Sequence, residues 1–189
     1  ADVKSLFSDS YTAVPATGTV WSTEWDKVGD PVDVSLSGGN VVKKYTGVNY
    51  IGIEPNSTLN VSDMDTFHID VWRTDATADL KIKLVDFGSD GHYDGGDDVV
   101  HQVVFNATQG NAVAANQWVG LDIPLSQFTG LTTKDHLAQL IISSHKYDGN
   151  GNPVGSGENL WVDNVYFSKS ATPVVPTSGP SAPTKLQAD

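Results

Sequence analysis

Apolar and polar residues alternate in short runs through the first 169 positions, and clusters of Gly, Asn, Asp and Pro interrupt them at intervals of roughly ten residues. A two-residue period turns successive side chains to opposite faces, so each run reads as a β-strand with one buried side. The pattern predicts strands over residues 3–8, 19–25, 32–36, 41–46, 50–54, 66–73, 80–86, 99–105, 118–123, 137–144 and 160–167. These are too many for one open sheet. The expected architecture is all-β: a two-sheet antiparallel β-sandwich, a jelly roll, with long acidic loops. Helical periodicity is nearly absent, with one helical turn expected over residues 124–128, and there is no internal repeat.

Strand parity separates core from surface. In residues 66–73, Phe67, Ile69 and Val71 face inward, which turns His68, Asp70 and Trp72 outward together. Leu80, Ile82 and Leu84 likewise leave Lys81 and Lys83 outside, and Val119, Leu121 and Ile123 leave Trp118 and Asp122 outside. If two of these strands are neighbours, one outer face carries indole rings beside carboxylate, imidazole and ammonium groups. A pyranose offers an apolar C–H face that stacks on a flat ring and a belt of hydroxyls that pairs with polar side chains. His68, Asp70, Trp72, Lys81 and Trp118 are therefore the expected sugar contacts. The other reading buries Trp72 and Trp118 under loops, and strand order decides between the two. Trp21 and Trp25, in TVWSTEW, stand behind these as contacts; they share a strand face and at least one belongs to the core. Tyr50, Tyr93 and Tyr147 lie in loops or at strand ends and read as packing or solvent-tipped aromatics.

Composition narrows the partners. The chain has 189 residues, no cysteine, and 11 basic against 23 acidic residues, a net charge of −12. Such a charge repels nucleic-acid phosphates and anionic headgroups, and no apolar run approaches the roughly 18 residues that span a bilayer. Nucleic-acid binding and membrane insertion are thus disfavoured. An anionic polysaccharide is also disfavoured unless Lys81, Lys83 and Arg73 gather. Only Glu24, Glu54 and Glu158 among the acidic residues are glutamates, and aspartate suits turns and oxygen-ligand cation sites better than helices. Residues 170–189, SATPVVPTSGPSAPTKLQAD, hold four prolines and few core formers. They read as a spacer after a domain at residues 1–169, and the closing SAPTKLQAD resembles the opening strand of a fibronectin type III module.

Two loops concentrate oxygen ligands. DFGSDGHYDGGDDVVH carries Asp86, Asp90, Asp94, Asp97 and Asp98, whose mutual repulsion needs solvent or a cation. In YDGNGNPVGSGEN, Asp148, Asn150 and Asn152 begin a calcium-loop spacing that Pro153 breaks, and a hairpin is the favoured reading. Glycoside hydrolysis needs two carboxyl groups across a cleft, for which Asp70 or Asp122 is the available choice. No GxSxG, HExxH or phosphate loop is present, and His68, His92, His101, His136 and His145 lack a metal-ligand spacing.

The segments LFSDSY, GGNVVKKYTGVNYIGIE, FHIDVW, KIKLVDFG, QWVGLDIPLSQFTGL, LAQLIISS and WVDNVYF together resemble non-catalytic β-sandwich carbohydrate-binding modules of multimodular bacterial polysaccharide-degrading, laminarinase-like enzymes. The resemblance implies a secreted or cell-surface, monomeric module without catalytic residues. It would bind polysaccharide, a β-glucan such as laminarin, while covalently linked to a glycoside hydrolase. It also implies a structural calcium anchored by Asp163 in VDNV and completed by Asp9 and Asn40. Whether sugar lies on a sheet face or at the loop rim stays open. The competing readings are a small glycan-active hydrolase using Asp70 or Asp122 and a structural or adhesion spacer.

Overall fold

The structure, a computed structural model, describes residues 2–169. The spacer expected over residues 170–189, with its fibronectin-like end, lies outside the described residues.

Two six-stranded sheets with antiparallel strand pairing stack as a sandwich. The first contains β1 (Val3–Phe7), β3 (Val32–Ser35), β4 (Val41–Val48), β6 (Thr66–Arg73), β9 (Trp118–Pro124) and β12 (Glu158–Ser168). Its order is β3-β4-β12-β6-β9, with β1 also paired to β12. The second contains β2 (Thr19–Val20), β5 (Tyr50–Pro55), β7 (Asp79–Asp86), β8 (Val99–Phe105), β10 (Leu137–Tyr147) and β11 (Pro153–Gly155). Its order is β2-β5-β10-β7-β8, with β11 paired to β10. The inward residues read from alternation form the core: Phe67, Ile69 and Val71 of the first sheet join Ile51, Ile53, Leu80, Ile82, Leu84, Leu140 and Ile142 of the second in one buried cluster. The turn expected near Pro124 is a 3-10 turn at Leu125–Gln127.

Two segments depart from the alternation. Residues 19–25 form a strand only as far as Val20. One carboxylate oxygen of Asp26 accepts hydrogen bonds from the Ser22 hydroxyl (2.9 Å), the Thr23 amide (3.2 Å) and the Gly52 amide (3.3 Å), and so folds residues 22–26 back onto the second sheet. At the other end β10 runs to Tyr147 and returns as β11, because Asp148 accepts from the amides of Asn150 and Asn152, both at 2.9 Å. The DGNGN segment is thus the turn of a hairpin.

The chain's one arginine pins the sheets together. Arg73, 0% exposed at the end of β6, donates from Nη2 to Glu158 Oε1 (2.7 Å), the Ala78 carbonyl (3.0 Å) and the Ser144 hydroxyl (3.3 Å). Its Nε reaches Glu158 Oε2 at 3.3 Å, and the Asp75 amide donates to the same oxygen at 3.0 Å. Ser144 belongs to β10, and its hydroxyl also donates to Glu158, so the pair links β6 and β12 to the opposite sheet. Truncating one member strands the other charge in the interior. Glu158→Gln is expected to lower the unfolding free energy by about 3–5 kcal/mol in urea titrations; a loss below about 1 kcal/mol would show that the pair is dispensable.

Candidate functional site

The first sheet brings most of the expected contacts together. Across β6 and β9, Trp72 lies opposite Trp118, Asp70 opposite Gly120 and His68 opposite Asp122. On the other side β12 places Trp161 beside Trp72, Asp163 beside Asp70 and Tyr166 beside His68. The parity is as read, but Trp72 is covered and Trp118 is half-buried beside it. Trp72 is 7% exposed, packs edge-on against Trp118 at 6.1 Å, and joins Trp161, Leu36 and Val42 in a second apolar cluster. A ring so enclosed has no face left for a sugar to stack upon.

The polar members of that set are tied to each other. His68 is buried, contacts Asp122 through Nδ1 at 2.7 Å and Asp70 through Nε2 at 3.3 Å, and stacks on Tyr166 at 4.6 Å. Burial works to lower its pKa, but the bonds to Asp70 and Asp122 outweigh that and raise it. Asp70 also accepts from Asn164 Nδ2 at 2.8 Å. The two carboxylates weighed for hydrolysis therefore clasp one imidazole. Trp21 turns to the main core, edge-on to Phe7 at 5.5 Å with the Lys43 ammonium 5.1 Å from its ring. Lys81 belongs to β7 in the other sheet, so it cannot share a face with Trp72.

The second sheet's outer face holds a different constellation. Trp25 is 40% exposed and lies across β5 where Gly52 leaves room: a Cβ at position 52 would stand 2.5 Å from the indole and closer still to the Thr23 hydroxyl. Glycine within a strand loses side-chain packing and marks close approach by another group. The indole Nε1 donates to Glu54 Oε1 at 3.2 Å, Gln139 Nε2 donates to the same oxygen at 2.7 Å, and Tyr50 stacks at 6.3 Å from the indole, inclined 22°. The Tyr50 hydroxyl donates to the Trp25 carbonyl at 3.2 Å, closing the clamp. Trp25, Glu54, Gln139, Ile141, Phe87 and Tyr93 line a cavity of about 570 Å³. Tyr93, 70% exposed, rests on Phe87 at 5.8 Å. Further along this face stand Lys83, Lys81 and Tyr147; the last is 51% exposed, with the Lys81 ammonium 5.7 Å from its ring. From Gln139 to Tyr147 β10 extends about 27 Å at roughly 3.4 Å per residue, enough for several sugars of an extended chain.

Of the expected contacts, only Trp25 and Lys81 stand on this second face. Glu54, Gln139, Phe87 and Tyr93 were outside the sequence expectation, and the signal pointing to them was Gly52 in the middle of YIGIE.

The three residues expected to hold calcium lie near the first sheet's outer face. Asp163 is 1% exposed, and Asn40 Nδ2 donates to its Oδ2 at 2.9 Å while the Asn164 amide donates to Oδ1 at 2.7 Å. Burial pushes its carboxyl up to about 6; these hydrogen bonds pull it down, and the nearby charges of Asp70 and Asp9 push it up. Among the described residues no Lys or Arg pairs with Asp163. Of the acidic loop, Asp97 and Asp98 close local turns, Asp97 accepting from the Ser89 amide (2.7 Å) and hydroxyl (2.9 Å) and Asp98 from the Asp94 amide (2.6 Å). Asp86 accepts from Gly88, Thr133 and His136.

No protein-family model and no curated protein matches the chain. Solved structures do. A family 30 carbohydrate-binding module superposes with a TM-score of 0.58 at 13% identity, covering 89% of this chain and 99% of its own. Another family 30 structure gives 0.57 at 15% identity over 97% of this chain and 92% of its own. The family 11 carbohydrate-binding module of a cellulosomal cellulase from Clostridium thermocellum gives 0.51 at 17% identity, over 89% and 95%. At these identities the likeness shows a shared β-sandwich fold.

The burial of Trp72 makes it a stability residue. Trp72→Ala is expected to cost about 3–5 kcal/mol in denaturant unfolding, the range for emptying a packed aromatic site, and an unchanged unfolding midpoint would count against the covered cluster.

Proposed function

We propose that this chain is a non-catalytic carbohydrate-binding module that seats a single β-glucan chain, such as laminarin, along the outer face of the β2-β5-β10-β7-β8 sheet. In this reading it acts as a monomer on an exported, laminarinase-like glycoside hydrolase, holding the covalently attached enzyme near its substrate and raising the local concentration of glycan. One observation carries the reading: Trp25, held over Gly52 and still 40% exposed, lines a cavity together with Glu54, Gln139, Phe87, Tyr93 and Ile141. An indole held this way meets the C–H face of a pyranose without ordering cost, while the carboxylate and amide meet its hydroxyls. The fold held in common with family 30 and family 11 carbohydrate-binding modules is in keeping with it.

A structural calcium held by Asp9, Asn40 and Asp163 belongs to the same proposal. The fit rests on Asp163, a buried carboxylate without a described cationic partner; Asn40 would turn its amide over to offer oxygen. Because burial raises the Asp163 carboxyl above its unfolded value, its contribution to stability is present below about pH 4 and is lost as pH rises through about 6. A cation bound to the ionised form would reverse that loss.

Two measurements test these readings. Trp25→Ala is expected to weaken retardation in laminarin-containing gels by more than about tenfold with little change in melting temperature; full retention overturns the second-sheet site. In chelator at pH 7, Asp163→Asn is expected to exceed the parent in stability by up to about 3 kcal/mol, and calcium to close the gap by stabilising the parent. A melting temperature indifferent to calcium overturns the metal site.

A further inference from the structure

We propose that Glu54 is the specificity determinant of the second-sheet cavity: it fixes the Trp25 platform with one carboxylate oxygen and screens the ligand's charge with the other, admitting an uncharged glycan and refusing the same glycan bearing a carboxylate. The inference rests on the glycan-binding reading of this face and adds which residue selects among glycans.

Glu54 Oε1 receives both protein donors that reach the group, the Trp25 indole N–H at 3.2 Å and the Gln139 amide at 2.7 Å. The Gln139 orientation is forced, since turning the amide over would set its carbonyl against the carboxylate. Oε2 receives no hydrogen bond from the described residues and remains as an acceptor, and the Gln139 carbonyl is a second one. Glu54 is also the one charged residue among those lining the cavity. Lys81 and Lys83 stand on β7, outside that lining, so no cation within the cavity compensates an incoming anion. A sugar hydroxyl can donate to Oε2 and be held by a charge-assisted bond. A uronate in the same position sets two negative oxygens together in a partly dehydrated site, which costs far more than a missing hydrogen bond. Glutamine at this position keeps an oxygen for the indole, removes the charge and sets an amide N–H where Oε2 stood.

Affinity electrophoresis with laminarin and with laminarin oxidised to carboxylates at its primary hydroxyls tests the filter. The parent is expected to prefer the neutral polymer by at least about tenfold. Glu54→Gln is expected to weaken binding of neutral laminarin by about tenfold, because it removes the charge-assisted bond to Oε2, while the preference for the neutral polymer shrinks to about threefold or less. Asp63→Asn, which removes the same unit charge beside β1, is expected to leave the preference intact, separating a local filter from repulsion by the whole acidic protein. A preference that survives Glu54→Gln, or that falls equally in Asp63→Asn, overturns the assignment but leaves the binding face standing. Laminarin binding that is indifferent to Trp25→Ala, or absent from the parent, overturns the face and the filter together.

Discussion

A fully buried ion pair holds the sandwich in register. Arg73 and Glu158 come from adjacent strands of one sheet, yet they are also bonded by Ser144 and Ala78 at the other. Two apolar faces can slide across one another at little cost, whereas a desolvated guanidinium with four fixed acceptor contacts cannot. The pair therefore specifies how the sheets lie relative to each other. The strands it joins, β6 and β10, carry outward side chains, Trp72 on one and Gln139 and Ile141 on the other, that have opposite fates.

Those fates follow from how each outer face is roofed. On the first sheet, cross-strand neighbours cover one another: Trp72 meets Trp118 edge-on and packs with Trp161, Leu36 and Val42, and His68 locks between two carboxylates. The second sheet's face receives a folded loop, and because Gly52 lets the loop settle, Trp25 ends as a ledge beside open space. Both faces contain aromatic and carboxylate groups. What separates them is whether the rings spend their faces on each other or keep one free.

The sequence was most legible where contacts repeat along one strand. Phe67, Ile69 and Val71 declare a buried face within six residues, and most strands followed from such alternation. Sheet membership was not legible, since Lys81 and Trp72 show the same outward parity and pairing partners lie far apart in the chain. The end of β2 was missed because a single Asp26 carboxylate captures three donors, a local competitor to strand pairing that alternation does not register. Four of the expected site residues, His68, Asp70, Trp72 and Trp118, gather on one face as read, but the cover over Trp72 comes from Leu36 and Trp161, which no neighbouring residue announces. Tyr93, read as a solvent-tipped loop aromatic, stands as a cavity wall through its contact with Phe87.

The space above Gly52 imposes a rule on how such a sandwich can diversify. Position 52 and the indole at Trp25 compete for the same volume, so neither is free to vary alone. Any side chain at 52 evicts the ring, and a ring moved elsewhere leaves a bare gap in β5 that a larger residue would fill. Changes at the two positions are therefore expected to arrive in pairs, with the aromatic platform relocated along the sheet whenever the glycine is lost.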